Sequence, residues 1–173
     1  MPAQRPKATP GPSRLITEQK ILSTALDMLR RDGVEGLSQR RLAAELGVTP
    51  MTLYRYFPSK DAILDAIGDQ AIAITDRPDP TAPWHAQLRD LLIAIHDGLQ
   101  RSPGVAELMA TRSMNGSGID DVRERILALL VGGGVSEDEA LVVLGVINRF
   151  LLGCALVEGR TRDRQNGRRL SAL

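Results

Sequence analysis

The 173-residue chain is predicted to be all-α, with a three-helix N-terminal domain followed by a larger helical domain. Apolar residues recur at helical spacing in one segment after another, and Gly or Pro marks most segment ends. No run shows the alternation of a strand bounded by turns. A hydrophobic content of 43% with 25% charged residues is typical of a globular protein and too apolar for a disordered one.

The first two helices are predicted from their apolar spacing and their end signals. A helix is expected at about Thr17–Arg31, where apolar residues recur every three or four positions. Ser38 is expected to cap a short helix, Gln39–Leu46. Gly47 follows it, and the turn there requires a residue that tolerates a positive φ.

A second short helix is expected to begin within a few residues of this turn. Thr49 is its predicted N-cap and Pro50 its first residue. A proline ends it near Tyr56, because the residue before proline is disfavoured in helical conformation. Ser59 is then expected to cap a longer helix that runs to about Ile74.

Three prolines within residues 76–83 predict a loop between two domains. Helices are expected beyond it at 84–100, 105–112, 119–131 and 137–160, and the last opens with a capping box formed by Ser136 and Glu139. The charged residues that follow are expected to be frayed helix or tail. The predicted organisation is a disordered tail at 1–13, a helix-turn-helix domain at 14–60, a connecting helix at 61–76 and a C-terminal domain at 77–173.

The net charge of +1 conceals an asymmetry between the first third of the chain and the remainder. Residues 1–60 carry ten basic and five acidic side chains, whereas residues 61–173 carry twelve basic and sixteen acidic side chains. This distribution favours an N-terminal part that binds a polyanion and an acidic remainder that does not.

Several classes of function are excluded by residue content. One cysteine, Cys154, and two histidines do not make a zinc site, and no metal or cofactor is expected. No catalytic triad, phosphate loop or HExxH motif is present, so an enzyme is not expected. The most apolar run, residues 141–157, contains Arg149 at its centre, which costs about 2.5–3.5 kcal/mol on insertion scales. We therefore expect a buried helix there, and no membrane partner.

Residues 38–56 are two short helices joined by a tight glycine-containing turn, which is the helix-turn-helix pattern. The chain resembles the DNA-binding domain of TetR-family (tetracycline-repressor-type) transcriptional regulators over about residues 17–67. Three runs carry the resemblance, Leu42–Val48, Thr52–Phe57 and Pro58–Asp61. The resemblance implies a dimeric, ligand-responsive regulator, most simply a repressor, that binds a palindromic double-stranded DNA operator in the cytoplasm, in association with the nucleoid.

The resemblance also implies which residues contact DNA. Arg40 matches a position that places an Arg on a base edge, and Pro50 and Met51 lead the second short helix into the major groove. Tyr56 and Lys60 match phosphate contacts, whereas Leu53 and Phe57 are expected in the core. The predicted DNA-binding residues are Gln39, Arg40, Pro50, Met51, Thr52, Tyr54, Arg55, Tyr56 and Lys60.

The segment Trp84–Glu158 resembles the C-terminal domain of the tetracycline-repressor branch. The resemblance implies a pocket among its helices, and the apolar residues there predict a small hydrophobic effector. Its predicted lining is Leu91, Ile95, Met109, Met114 and Phe150.

The resemblance further implies a homodimer formed by C-terminal helices. Helix 137–160 is expected to supply one of these helices, and about a dozen charged residues after it are too few for a second. The predicted dimer interface is Leu141, Leu144, Gly145, Asn148, Leu152 and Ala155.

One rival hypothesis stays open from the sequence. The chain would then be a helical module that holds a hydrophobic ligand or a partner helix, with a helix-turn-helix that no longer binds DNA. Gel-shift assays with DNA from upstream of its own gene discriminate between the two hypotheses.

Overall fold

The computed structural model of the chain describes residues 16–73, 79–102 and 104–170, with side chains described as far as residue 159. Within these ranges the chain forms helices and no strand, as predicted. The predicted tail at 1–13 and the residues after 170 lie outside the described ranges. The helices are α1 (Glu18–Gly36), α2 (Gln39–Leu46), α3 (Pro50–Tyr54), α4 (Lys60–Ile72), α5 (Trp84–Arg101), α6 (Val105–Thr111), α7 (Ser117–Gly132) and α8 (Glu137–Leu170).

The predicted N-caps set the starts of the N-terminal helices. The hydroxyls of Ser38, Thr49 and Ser59 each accept a hydrogen bond from the backbone N–H three residues later, at 3.1–3.3 Å. Gly47 ends α2 with φ of 67° and ψ of 28°, the left-handed conformation that the turn requires. The conformation of Gly47 before the turn and the hydrogen bond of Thr49 after it therefore fix the turn.

Three helix ends differ clearly from the predicted ones. Helix α1 runs to Gly36 rather than to about Arg31, with a kink at Gly33, where φ is 69°. The second short helix, α3, ends at Tyr54 rather than near Tyr56, because Pro58 restricts the residues before it and the chain turns earlier. Helix α8 continues to Leu170, through residues expected to fray, because the charged segment after Gly159 contains no proline and many good helix formers.

Helix α4 connects the two parts of the fold. It packs against α1 on one side and against α5, α6 and α7 on the other. Its buried residues Ile63, Leu64 and Ile67 are 0–2% exposed, so the N-terminal and C-terminal cores meet along one helix. A displacement of the C-terminal helices therefore reaches the N-terminal domain through α4.

Helix α8 is buried on one face only. By length and composition, Glu137–Gly159 could cross a membrane: its mean hydropathy is 2.2, and 17% of its most apolar window is buried. The expectation of a buried helix therefore holds for the inner side of α8 and is wrong for its outer side. Val142, Val146, Phe150 and Val157 are 60–68% exposed and lie along the outer side of the helix.

Candidate nucleic-acid interface and ligand cavity

The outer side of α3 is exposed, whereas its inner side is packed. Leu53 is 0% exposed and Phe57 is 5% exposed, so both belong to the core, as predicted. Met51 is 72% exposed and Tyr54 is 50% exposed, and Pro50 is exposed beside them. A short helix that presents apolar side chains at its start and an aromatic side chain at its end to solvent has the shape and chemistry of a major-groove reader.

Two exposed cations lie on the elements that form the helix-turn-helix. Arg40 is exposed on the first turn of α2, and Arg55 is exposed directly after α3. The remaining predicted residue of α3, Thr52, is half-buried, with its hydroxyl 3.0 Å from the hydroxyl of Thr49. Thr52 therefore supports the start of the helix.

Arg55, Thr52 and Tyr56 face a hollow between α3 and the N-terminus of α1. Lys20 lines the same hollow from the first turns of α1 and is exposed. Sequence reasoning missed Lys20, because a single lysine on an amphipathic helix is indistinguishable from an ordinary solvated charge. Its position beside Arg55 makes it a candidate phosphate contact.

The structure corrects the role of Gln39. Its side chain is 9% exposed, and its amide nitrogen donates to the backbone carbonyl of Phe57 at 2.8 Å. The residue therefore fastens the start of α2 to the chain after α3, and the predicted direct DNA contact is wrong. The contact spans 18 positions of sequence, which no local pattern reveals.

Tyr56 is also engaged within the protein. Its hydroxyl donates to the backbone carbonyl of Ile16 at 2.6 Å. A phenol has one O–H, so only acceptor lone pairs are left, and a phosphate oxygen does not bind those. Tyr56 holds the chain at the beginning of α1 against α3, and a phosphate contact, which would require this O–H to turn away from Ile16, stays a prediction.

Lys60 joins the end of α1 to the beginning of α4. Its ammonium group donates to the carbonyl of Val34 at 2.7 Å and is partly buried. An ammonium group has three donors, so a phosphate contact by the others stays a prediction.

An ion-pair cluster, Arg31, Asp32, Arg41 and Glu45, holds α1 and α2 together. The guanidinium of Arg31 donates to both carboxylate oxygens of Glu45, at 3.1 and 3.0 Å. Arg41 pairs with Asp32 at 2.7 Å and also donates to the carbonyl of Gly36. Hydrogen bonds from Arg31 lower the pKa of Asp32 and of Glu45 and raise the pKa of Arg31.

This cluster gives two arginines a structural role. From the sequence, Arg31 and Arg41 have the pattern of ordinary surface charge. The structure shows that they orient α2 relative to α1, and α2 carries the candidate base reader Arg40. The sequence signal for the structural role of Arg31 would have been its acidic partner Glu45, which lies 14 positions later in the chain.

A cavity of about 600 Å³ lies among the C-terminal helices. Three of the predicted lining residues, Ile95, Met109 and Met114, line it. Its volume is in the range of sites for drug-sized molecules. Its walls come from α5, α6, α7 and α8, and Ile72 contributes from the end of α4.

Two predicted lining residues lie elsewhere. Leu91 is 0% exposed and does not line the cavity, because it points into the core between helices. Phe150 is 67% exposed and lies in a separate apolar groove on the outer side of α5 and α8, together with Trp84 and Leu88. The predictions for Leu91 and Phe150 are therefore wrong.

The predicted dimer interface is partly turned inward. Leu152 and Ala155 are 8% and 6% exposed, and both pack inside the subunit, so neither can meet a partner. The error has a physical cause: α8 is apolar on every side, and periodicity cannot distinguish its inner from its outer face. The other predicted interface residues line the cavity: Leu141, Leu144, Gly145 and Asn148.

The loop between α6 and α7 borders the cavity and is fastened to α4. Arg112 pairs with Asp61 at 3.0 Å and with Asp65 at 3.2 Å. The backbone N–H of Ile119 donates to Asp69 at 3.0 Å. The three aspartates are four residues apart and therefore share one face of α4.

A close contact reinforces this connection. Gly68 of α4 lies against Met114, such that a Cβ at position 68 would stand 2.5 Å from the Met114 methyl group. Met114 is 3% exposed and lines the cavity. One cavity wall therefore touches the connecting helix directly.

No group of three or more His, Cys, Asp or Glu suited to a metal ion occurs among the residues that the structure describes. The charged residues that line the cavity are arginines.

Two family models match the chain. Residues 21–67 match the model described as bacterial regulatory proteins, tetR family. Residues 77–172 match the model described as tetracyclin repressor-like, C-terminal domain. Together the two matches span the helix-turn-helix, the connecting helix and the cavity.

Curated relatives extend the similarity. The chain is 29% identical over 147 residues to the transcriptional repressor DrrR1 of Streptomyces coeruleorubidus, covering 84% of this chain and 54% of that protein. It is 31% identical over 159 residues to the class A tetracycline repressor from transposon 1721 in Escherichia coli, covering 86% of this chain and 69% of the repressor. The chain thus spans about half the length of one relative and about two thirds of the other.

Solved structures share the fold. ActR of Streptomyces coelicolor, solved with actinorhodin, superimposes with a TM-score of 0.70 at 26% identity, covering 85% of this chain and 70% of ActR. BioQ, solved with its double-stranded DNA operator, has a TM-score of 0.67 at 27% identity, covering 90% of this chain and 94% of BioQ. With both family models matched in order along its length, the chain belongs to the tetR family of bacterial regulatory proteins.

Proposed function

We propose that the chain is a transcriptional repressor that binds a palindromic DNA operator and is released by a small hydrophobic molecule. The observation that carries the proposal is the exposed outer side of α3. Met51 and Tyr54 are 72% and 50% exposed, while Leu53 between them is fully buried. The protein thus holds an apolar and aromatic surface in water on a rigidly capped helix, where a thymine methyl or a base edge would cover it.

Two solved relatives support the two binding partners in this proposal, which are DNA and a small molecule. BioQ was solved on its operator DNA, and ActR was solved with actinorhodin. The cavity of about 600 Å³ supplies a place for an effector, and α4 connects its wall to the helix-turn-helix. An effector acts here by binding more tightly to the conformation that does not fit DNA.

We further propose that a second copy of the chain covers the outer face of α8, defined by Val142, Val146, Phe150 and Val157. These side chains are 60–68% exposed and are contiguous on one helix, which is atypical of a surface that stays in water. A twofold dimer places two reading helices one DNA turn apart, as a palindrome requires. The proposed location is the cytoplasm, at the nucleoid.

The direct test is binding to the DNA upstream of the chain's own gene, measured by fluorescence anisotropy at low salt. We expect specific binding that Tyr54→Ala weakens about tenfold or more, because it removes an exposed groove contact. Val131→Ala is the matched control, since it removes a 41% exposed apolar side chain from α7 instead. A folded dimer that does not bind any of this DNA contradicts the proposal and favours a helical module without DNA binding.

A further inference from the structure

Most of the residues that line the cavity are apolar, and the charged ones among them are positive. Among the described residues that line it, the charged side chains are Arg112 and Arg123, and none is acidic. Thr111, Ser113 and Asn148 add polar groups. A lining of mostly apolar residues that includes cations and no carboxylate is complementary to an apolar molecule that carries an acid group.

Arg112 is the cation that the fold positions most firmly. Its side chain is 22% exposed, against 45% for Arg123. Its guanidinium donates to Asp61, to Asp65 and, through Nε, to the carbonyl of Ser113 at 3.3 Å. A guanidinium has five N–H groups, so donors remain for an incoming anion.

The two carboxylates reach Arg112 from α4, outside the cavity wall. Asp61 is 76% exposed and Asp65 is 18% exposed, so the first ion pair is weakened by water and salt far more than the second. An acid group bound in the cavity would lie between helices and would be better shielded from water than Asp61, whose side chain is 76% exposed. It could therefore compete with Asp61 for the guanidinium.

We propose that the effector of this site is an amphipathic organic anion, with an apolar body in the chamber and its carboxylate, sulfonate or similar acid group on Arg112. The proposal rests on the function proposed above, because it names the class of molecule that the regulatory cavity takes. It also assigns Arg112 as a specificity residue. Binding of the acid group draws Arg112 from Asp61 and thus loosens the α6–α7 loop from α4.

The test compares two fluorescent probes with the same ring system. 8-Anilinonaphthalene-1-sulfonate carries the acid group, and N-phenyl-1-naphthylamine lacks it. Both are titrated into the full chain without DNA. We expect the sulfonate to bind about tenfold more tightly, and Arg112→Gln to abolish that preference while changing the affinity for the neutral probe less than about twofold.

Two further variants distinguish binding in this cavity from binding in the outer groove and from damage to the fold. Arg89→Gln is the matched control, because Arg89 lies in the outer groove with Trp84 and Phe150. It should change neither affinity. Asp61→Asn removes a competing carboxylate from an exposed position and should tighten sulfonate binding, a gain that damage to the fold would not produce.

Three outcomes would overturn the proposal. The neutral probe could bind as tightly as the sulfonate, Arg112→Gln could weaken both probes equally, or Arg89→Gln could remove the preference instead. Operator binding, measured without any probe, reports separately on the proposed function. A chain that binds DNA but shows no preference for the anion would contradict only the inference about the effector.

Discussion

Single residues of the reading surface fall into two kinds. Met51, Tyr54 and Arg40 point outward from a fixed frame, whereas Gln39 and Tyr56 build that frame through bonds to backbone carbonyls. Substitutions of the first kind should change affinity for DNA and leave the fold unchanged. Substitutions of the second kind should lower stability as well.

Arg40→Ala should cost about 1–3 kcal/mol of operator affinity and relax the preference at one base pair of each half-site. The physical reason is the loss of a guanidinium from a base edge, while the helix that carries it remains capped by Ser38. Affinities for operators substituted at each position in turn measure the effect. Arg101→Ala removes an exposed arginine from the end of α5 and should leave every affinity unchanged. A uniform loss across all sequences would show that Arg40 contacts phosphate instead.

Among the elements, the junction of α1 and α2 depends on ionised carboxylates. The pKa values of Asp32 and Glu45 lie below their ordinary values of 3.8 and 4.5, chiefly because of hydrogen bonds from Arg31. A carboxyl group whose pKa is lower in the folded state stabilises the fold above its unfolded pKa. This contribution is lost as the pH falls through the folded pKa. The cluster therefore stabilises the N-terminal domain near neutral pH and ceases to do so in acid.

Glu45→Gln should lower the melting temperature near pH 7 by a few degrees and reduce the further decrease between pH 6 and pH 3. The change is small because the side chains are exposed. Thermal denaturation followed by circular dichroism across this pH range measures both effects. Glu124→Gln, on α7 outside the cluster, is the control. Parallel pH profiles for the wild type and Glu45→Gln would contradict the role of the cluster.

Local chemistry explains which elements the sequence predicts well. The N-caps at Ser38, Thr49 and Ser59 and the turn at Gly47 depend on groups within a few residues, and all four are present as expected. The roles of Gln39, Tyr56 and Lys60 depend on carbonyls 18, 40 and 26 positions away, and these required the structure. The sequence pattern does not distinguish the inner face of α8 from its outer face for a different reason, since both faces are apolar.

For the whole molecule, the outer face of α8 should decide the assembly. Val146→Asp places a charge on this face and should shift the dimer toward monomer, because a desolvated, unpaired carboxylate is costly. Sedimentation equilibrium measures the shift, and operator affinity should fall with it. Val131→Asp makes the same change at a 41% exposed valine on α7 and should leave the assembly intact. An unchanged mass for Val146→Asp would place the interface elsewhere.

The contact between Gly68 and Met114 has a consequence for engineering. Position 68 carries no side chain, and Met114 fills the space that a Cβ would occupy. A larger residue there would push Met114 toward the cavity and α4 away from the loop, whether or not a small molecule is present. Such a substitution would mimic a permanently bound effector. The larger the new side chain, the further the conformational equilibrium should shift toward the state that does not bind DNA.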